Sequence, residues 1–175
     1  MAAEPFGEAL EDAQLQALAR AVGAGLRKAG QRVAVAESCT GGLVAKLLTD
    51  EPGSSAWFER GIVSYSNEAK QDLLGVAAAT LQAHGAVSAP VVLEMAQGLL
   101  QRAPVDWTLA VSGIAGPDGG TPDKPVGTVW LGFGGRSVAA SASRLQFGGD
   151  RDQVRRASAA AALRGLQQYL ADAQL

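Results

Sequence analysis

The sequence predicts an α/β domain in which helices cover both faces of a mixed β-sheet. Three observations point there. Helical and strand-like segments alternate along most of the chain, two strand-like segments near the C-terminal end are joined by a short glycine-rich turn, and 175 residues match one ordinary domain. Alternation requires crossovers between parallel strands, whereas the hairpin requires an antiparallel pair, so the sheet is mixed.

Taken in order, Ala13, Leu15, Leu18, Val22 and Leu26 recur at helical spacing from about residue 8 to 28, and Gly30 stands where a helix stop is common. Val33 to Glu37 is a short apolar run that reads as a strand; it enters the turn Ser38-Cys39-Thr40-Gly41-Gly42, after which LVAKLL resumes a helical pattern. Gly61 to Ser66 reads as a second strand, followed by a short helix, NEAKQDLL, that ends near Gly75. Ser88 and Pro90 open the next helix, with Ser88 as the expected cap. Trp107 to Ser112 is a third strand. Gly113 to Pro125 has no periodicity, and a segment of that length inside one domain is often functional. VGTVWLGFGG and RSVAASASRLQF form the hairpin, and the last helix starts at Asp150, paired with Gln153 in a capping box, and runs through Tyr169. The whole chain, 1–175, is expected to be a single domain with its core over about 10–172.

Composition excludes several classes of function. Hydrophobic residues make up 47% and charged residues 18%, below the usual charged share of about 25%, which rules out charge-driven disorder. A net charge of -2 lacks the Lys and Arg excess that nucleic-acid binding draws on. One cysteine and one histidine exclude an intrachain disulfide and a Cys/His zinc site, leaving only a carboxylate-held Mg²⁺ formally open. The acidic N-terminus lacks a signal-peptide pattern and no run of about 18 apolar residues occurs, so the expected compartment is the cytoplasm, with no membrane partner.

The sharpest local feature is Glu37-Ser38-Cys39-Thr40-Gly41-Gly42, where a strand gives way to a helix and backbone N–H groups favour an anion. It matches neither the P-loop nor the GxSxG elbow, and a plain helix cap by Ser38 or Thr40 is an equal reading. A nucleophilic Ser38 needs a base. His84 lies in a loop-like segment without a carboxylate partner, whereas Lys70 follows the segment carrying Tyr65, and a desolvated lysine can serve. Cys39 competes with Ser38 as nucleophile, against a reading as small apolar filler. Arg151, Arg155 and Arg156 sit at the start of the last helix, where the macrodipole disfavours cations; a bound phosphate or pairing with Asp150 and Asp152 compensates. The small residues of Ser112-Gly113-Ile114-Ala115-Gly116 permit close approach of a ligand or form an ordinary turn.

Together AESCTGG, GSSAWFERGIVSYSNEAK, HGAVS, VSGIAGPDGG, KPVGTVW and GDRDQVRR resemble the CinA C-terminal family, the nicotinamide-nucleotide amidases, over roughly residues 10 to 170. The resemblance, which is to the stand-alone form, implies a three-layer α/β/α sandwich, usually dimeric, that converts nicotinamide mononucleotide to nicotinic acid mononucleotide and ammonia without a metal or other cofactor. It implies Ser38, Tyr65 and Lys70 as catalytic residues, and Ser112 and Arg151 as further site residues. On this basis Ser38 is expected to attack the amide with Lys70 as base, directly or through Tyr65. Thr40, Gly41 or Gly42 supply oxyanion donors, and Arg151 with the glycine turns, Gly113 among them, binds the nucleotide. The expected dimer contact is the Ala- and Leu-rich last helix with Tyr169. The alternative is a non-catalytic nucleotide-binding module of the same fold.

Overall fold

The computed structural model describes residues 11–172, so the expected start of the first helix near residue 8 lies outside the described residues. Helix α1 (Asp12–Ala29) begins at Glu11, whose side chain and that of Gln14 form a capping box, and ends at Gly30 in the left-handed region (φ 65°). Its buried residues Leu15, Ala19, Val22 and Leu26 make one stripe, each leucine contributing about 1.5–3 kcal/mol of burial. Next come β1 (Val33–Glu37), α2 (Leu43–Thr49), β2 (Phe58–Val63) and α3 (Asn67–Leu74). They are followed by α4 (Ala78–His84), α5 (Ala89–Arg102), β3 (Trp107–Gly113), β4 (Thr128–Gly135), β5 (Val138–Gln146) and α6 (Arg151–Asp172).

The strands lie in the order β2-β1-β3-β4-β5. β1 pairs parallel with β2 and β3, and β4 pairs antiparallel with β3 and β5. Strand alternation divides the core into two layers. Val33, Val35, Leu109 and Val111 pack with α1, α2 and α6, while Ala34, Ala36 and Ala110 pack with α5 and its neighbours. The second face is lined by small residues because α5 lies close to the sheet: a Cβ on Gly132 would stand 2.4 Å from the Val92 carbonyl oxygen. The expected three-layer α/β/α sandwich with a mixed sheet is therefore observed.

Several local expectations are corrected. The second strand spans Phe58–Val63 rather than 61–66, because Ser64, Tyr65 and Ser66 leave the sheet and Ser66 Oγ caps α3 by accepting from Ala69 N–H at 3.0 Å. Ser88 does not cap α5; its hydroxyl donates to the Gly85 carbonyl at 2.8 Å. The expected dimer contact on the last helix is already used within the chain, since Ala157 and Ala159 to Leu163, Leu166 and Leu170 are buried against α1 and the sheet. The Tyr169 hydroxyl bonds to Ser141 and its ring lies 4.8 Å from that of Phe133. The Asp150–Gln153 capping box forms as read, with both reciprocal bonds at 2.8 and 2.9 Å. Among the described residues no helix is long and apolar enough to cross a membrane.

Candidate active site

The site lies at the C-terminal ends of the parallel strands, where β1 and β2 release their chains toward opposite layers, into α2 and α3. Parallel pairing sets Glu37 beside Val63 on one flank and Val111 on the other, so the residues that follow, Ser38, Ser64 and Ser112, converge although they are far apart in sequence.

Glu37 is almost fully buried, at 1% exposure. Its Oε2 accepts from the amides of Gly42 and Val44 at 3.0 and 3.1 Å, and its Oε1 from Ala45 at 2.8 Å. The carboxylate thus occupies the anion-favouring N-terminus of α2 from within the chain. It folds the intervening turn back on itself, with Gly41 N–H donating to the Ser38 carbonyl at 3.1 Å. Gly41 and Gly42 reach φ of 60° and 94°, which glycine adopts freely. The expectation that Thr40, Gly41 or Gly42 faces an oxyanion meets this arrangement: the Gly41 and Gly42 amides are engaged, and Thr40 is fully buried away from the cavity lining. The sequence reading missed Glu37 as a structural anion; the available signal was an acidic residue directly before a turn that opens a helix.

Lys70, one turn into α3, is 1% exposed. Its Nζ lies 3.1 Å from Ser38 Oγ, 2.8 Å from the Ser64 carbonyl and 3.2 Å from the Tyr65 carbonyl. Among the described residues no carboxylate pairs with it. Burial pushes its pKa below the usual lysine range, with a smaller opposing effect from Cys39. Cys39 packs with the core cluster and also borders the cavity beside Ser38, and burial pushes its thiol up to about 12. A thiol so held is protonated and a poor nucleophile, in line with the reading of Cys39 as apolar filler.

Ser38, Tyr65, Lys70, Ser112, Gly113 and Arg151 line one cavity of about 210 Å³, with Ala86 and Val87 forming a further wall. Ser112 holds that wall by donating from Oγ to the Ala86 carbonyl at 2.8 Å. Tyr65 stands at the rim, 60% exposed. Its phenol accepts from Arg151 Nη2 at 2.9 Å and makes no hydrogen bond to Ser38 or Lys70, so the relay through its hydroxyl finds no bonded path in this arrangement. Arg151 Nη1 also donates to the Gly116 carbonyl at 2.9 Å, and Arg155 to the Thr40 carbonyl at 2.9 Å. Arg156 pairs with Asp12 at 2.7 Å. The cations at the start of α6 are therefore compensated by carbonyls and a distant carboxylate rather than by Asp150 and Asp152. Lys124, from the glycine-rich segment, donates to the His84 carbonyl at 2.7 Å, and the His84 side chain is exposed and outside the cavity lining.

Comparison with known proteins agrees with this architecture. The chain is 54% identical over 162 residues to the nicotinamide-nucleotide amidohydrolase PncC of Escherichia coli K12, covering 92% of this chain and 98% of that protein. It is 51% identical to a putative competence-damage inducible protein of Symbiobacterium thermophilum, over 94% of this chain but 41% of that longer one. The crystal structure of the competence/damage inducible protein CihA from Agrobacterium tumefaciens superposes with a TM-score of 0.88 at 42% identity, covering 93% of this chain and 98% of that one. The model of the CinA C-terminal domain matches residues 15–170, and the chain belongs to that family.

Proposed function

We propose that this chain is an amidohydrolase that converts nicotinamide mononucleotide to nicotinic acid mononucleotide and ammonia, with Ser38 as nucleophile and Lys70 as its base. The relatives named for that activity support the substrate; the observation that carries the chemistry is the 3.1 Å contact between Lys70 Nζ and Ser38 Oγ. A neutral amine has two N–H donors and one lone pair. The carbonyls of Ser64 and Tyr65 can only accept, so they take the two donors and leave the lone pair facing the Ser38 hydroxyl. Burial of the amine, with no carboxylate paired to it among the described residues, favours that neutral form.

In this scheme Ser38 Oγ attacks the amide carbon as its proton passes to Lys70 Nζ. The tetrahedral intermediate collapses as the C–N bond breaks, and Lys70 returns the proton to the departing nitrogen to give ammonia. Water, deprotonated by the same amine, then cleaves the ester to release the carboxylic acid and restore Ser38. No cofactor takes part. A cavity of about 210 Å³ is below the roughly 300 Å³ typical of whole-ligand pockets, so it suits the pyridine amide while ribose and phosphate extend to the rim. Arg151 retains N–H donors beyond the two engaged and, with the Tyr65 phenol, offers a phosphate its contacts; Ser112 and Gly113 shape the inner wall. Thr40, Gly41 and Gly42 serve the nucleophile's turn rather than the substrate.

We assign the protein to the cytoplasm, as one domain acting on a small molecule without nucleic-acid or membrane partners. We further propose a homodimer, favoured by the outer edge of β5, which pairs with no strand among the described residues. A monomer by light scattering at micromolar concentration removes the dimer. The test of function is ammonia release from nicotinamide mononucleotide: wild type releases it and Ser38→Ala, with an unchanged circular dichroism spectrum, does not. Binding without release in the wild type would instead identify a nucleotide-binding module.

A further inference from the structure

The geometry points to the main-chain N–H of Gly113 as the oxyanion donor, in place of the turn amides that the sequence suggests; this rests on the serine-hydrolase reading above. In an antiparallel ladder, successive residues alternately face the partner strand and face away from it. Ile114 N–H donates to the Thr128 carbonyl at 2.9 Å, so its neighbour Gly113, paired with Val129, turns its own N–H away from β4 and toward the β1 side. There the sheet is ending. The last β1–β3 pair is Glu37 with Val111, and Ser38 N–H closes on the Val111 carbonyl at 2.9 Å.

One step further, a continuing parallel ladder would bring Gly113 N–H onto the Ser38 carbonyl. That carbonyl instead accepts from Gly41 N–H at 3.1 Å as the chain bends into α2, and among the described residues Gly113 N–H makes no hydrogen bond to Ser38 or to any other backbone carbonyl outside the strands. A main-chain donor is left directed at the turn that carries the nucleophile, and Gly113 lines the same cavity as Ser38 and Lys70. The position also excludes a side chain: a Cβ at 113 would lie 2.7 Å from Val129 Cγ2, 2.9 Å from the Thr128 carbonyl oxygen and 3.1 Å from Cys39 Sγ. Any larger residue shifts the end of β3 or pushes Cys39, the neighbour of the nucleophile.

The donor acts in the first step. As Ser38 Oγ forms its bond to the amide carbon and its proton moves to Lys70, the π pair of the carbonyl moves onto oxygen. Gly113 N–H meets that negative charge, and releases it when the C=O bond re-forms and the C–N bond breaks. A fixed donor of this kind accounts for about 10²–10³-fold in kcat.

The test uses pyridine-3-boronic acid, whose boron accepts a lone pair from Ser38 Oγ to give a tetrahedral anion. Boron NMR reports the adduct, and proton–nitrogen spectra of protein labelled in glycine report the amides. The expected result is a tetrahedral boron signal lost in Ser38→Ala, with the Gly113 amide proton moved far downfield and those of Gly41 and Gly42 nearly unmoved. A tetrahedral adduct with the Gly113 amide in place overturns the donor assignment alone; no tetrahedral boron in the wild type overturns the serine-nucleophile reading and this inference with it. A second measurement replaces Gly113 by glycolic acid through semisynthesis, exchanging N–H for oxygen without adding bulk. A folded ester variant is expected to lose about 10²–10³-fold in kcat with little change in KM, and full kcat overturns the assignment. If the ester does not fold, the spectra decide.

Discussion

Glu37→Gln isolates the buried anion that shapes the nucleophile's turn. In wild type one carboxylate receives three amides, two on Oε2 and one on Oε1. The amide side chain can keep its oxygen toward Gly42 and Val44, but its NH₂ then confronts the Ala45 N–H. The Ala45 N–H and the NH₂ facing it are both left without an acceptor, at about 1–3 kcal/mol for the pair, and the two surviving bonds drop from charge-assisted to neutral strength. Together these cost about 2–4 kcal/mol, which for a chain of this size lowers Tm by about 5–15 °C. Because the loss falls on the segment that sets Ser38 against Lys70, kcat for ammonia release should fall at least tenfold at temperatures where the variant is still folded, with KM changing less. Scanning calorimetry and steady-state assays on the same preparation make the comparison. A Tm within about 1 °C of wild type together with unchanged kcat would show that the carboxylate does not hold the turn.

Other substitutions and conditions separate the remaining roles. With its pKa lowered by burial, Lys70 is neutral above that value, so kcat/KM should rise with pH through it and fall away as Lys70 gains its proton below it; a rate independent of pH removes Lys70 as base. The same shift has a stability signature. Between the folded value and the ordinary 10.5 the unfolded chain holds the extra proton, so stability climbs with pH in that window, and the climb should vanish in Lys70→Met as followed by urea unfolding. Tyr65→Phe deprives Arg151 of its phenol and should raise KM while largely sparing kcat; a loss in kcat as large as that of Lys70→Ala would return the phenol to the proton path. With a thiol near 12, Cys39 should resist iodoacetamide at pH 8 until the protein is denatured, and labelling of the native protein at the rate of a free thiol contradicts the burial argument. Gly98→Ala places a methyl 1.7 Å from the Leu74 carbonyl oxygen, where α5 crosses the end of α3, and should cost about 3 kcal/mol or more by urea unfolding.

What the sequence disclosed follows from which interactions are local. β1, α3 and the capping box at Asp150 matched because their signals lie within a few residues: an apolar run, a glycine stop, a reciprocal pair of side chains. The group Ser38, Lys70 and Tyr65 was chemically sufficient on paper, but its convergence depends on β1 and β2 lying side by side, which no local pattern encodes. The end of β2 differs for another reason. Ser64 and Tyr65 alternate like strand residues, yet their carbonyls turn to the amine of Lys70, six and five residues further on, and that side-chain demand overrides the strand pattern. Helix α4 passed unread because AATLQAH is short and buries only Leu81. The α6 surface was misjudged because alanine-rich periodicity does not say whether the partner is another copy or the chain's own sheet.

The cations around the cavity share one habit: Arg151, Arg155, Lys124 and Lys70 each grip main-chain oxygens, of Gly116, Thr40, His84, Ser64 and Tyr65. A peptide oxygen is present whatever residue bears it, and it does not titrate. These fastenings therefore read the path of the chain rather than its lettering, so a change of side chain at position 84 leaves the Lys124 strap in place. Acid that silences the Lys70 amine leaves the carbonyl ends of the arginine clasps intact, so the catalytic machinery can be switched off by protonation while its framework stays assembled.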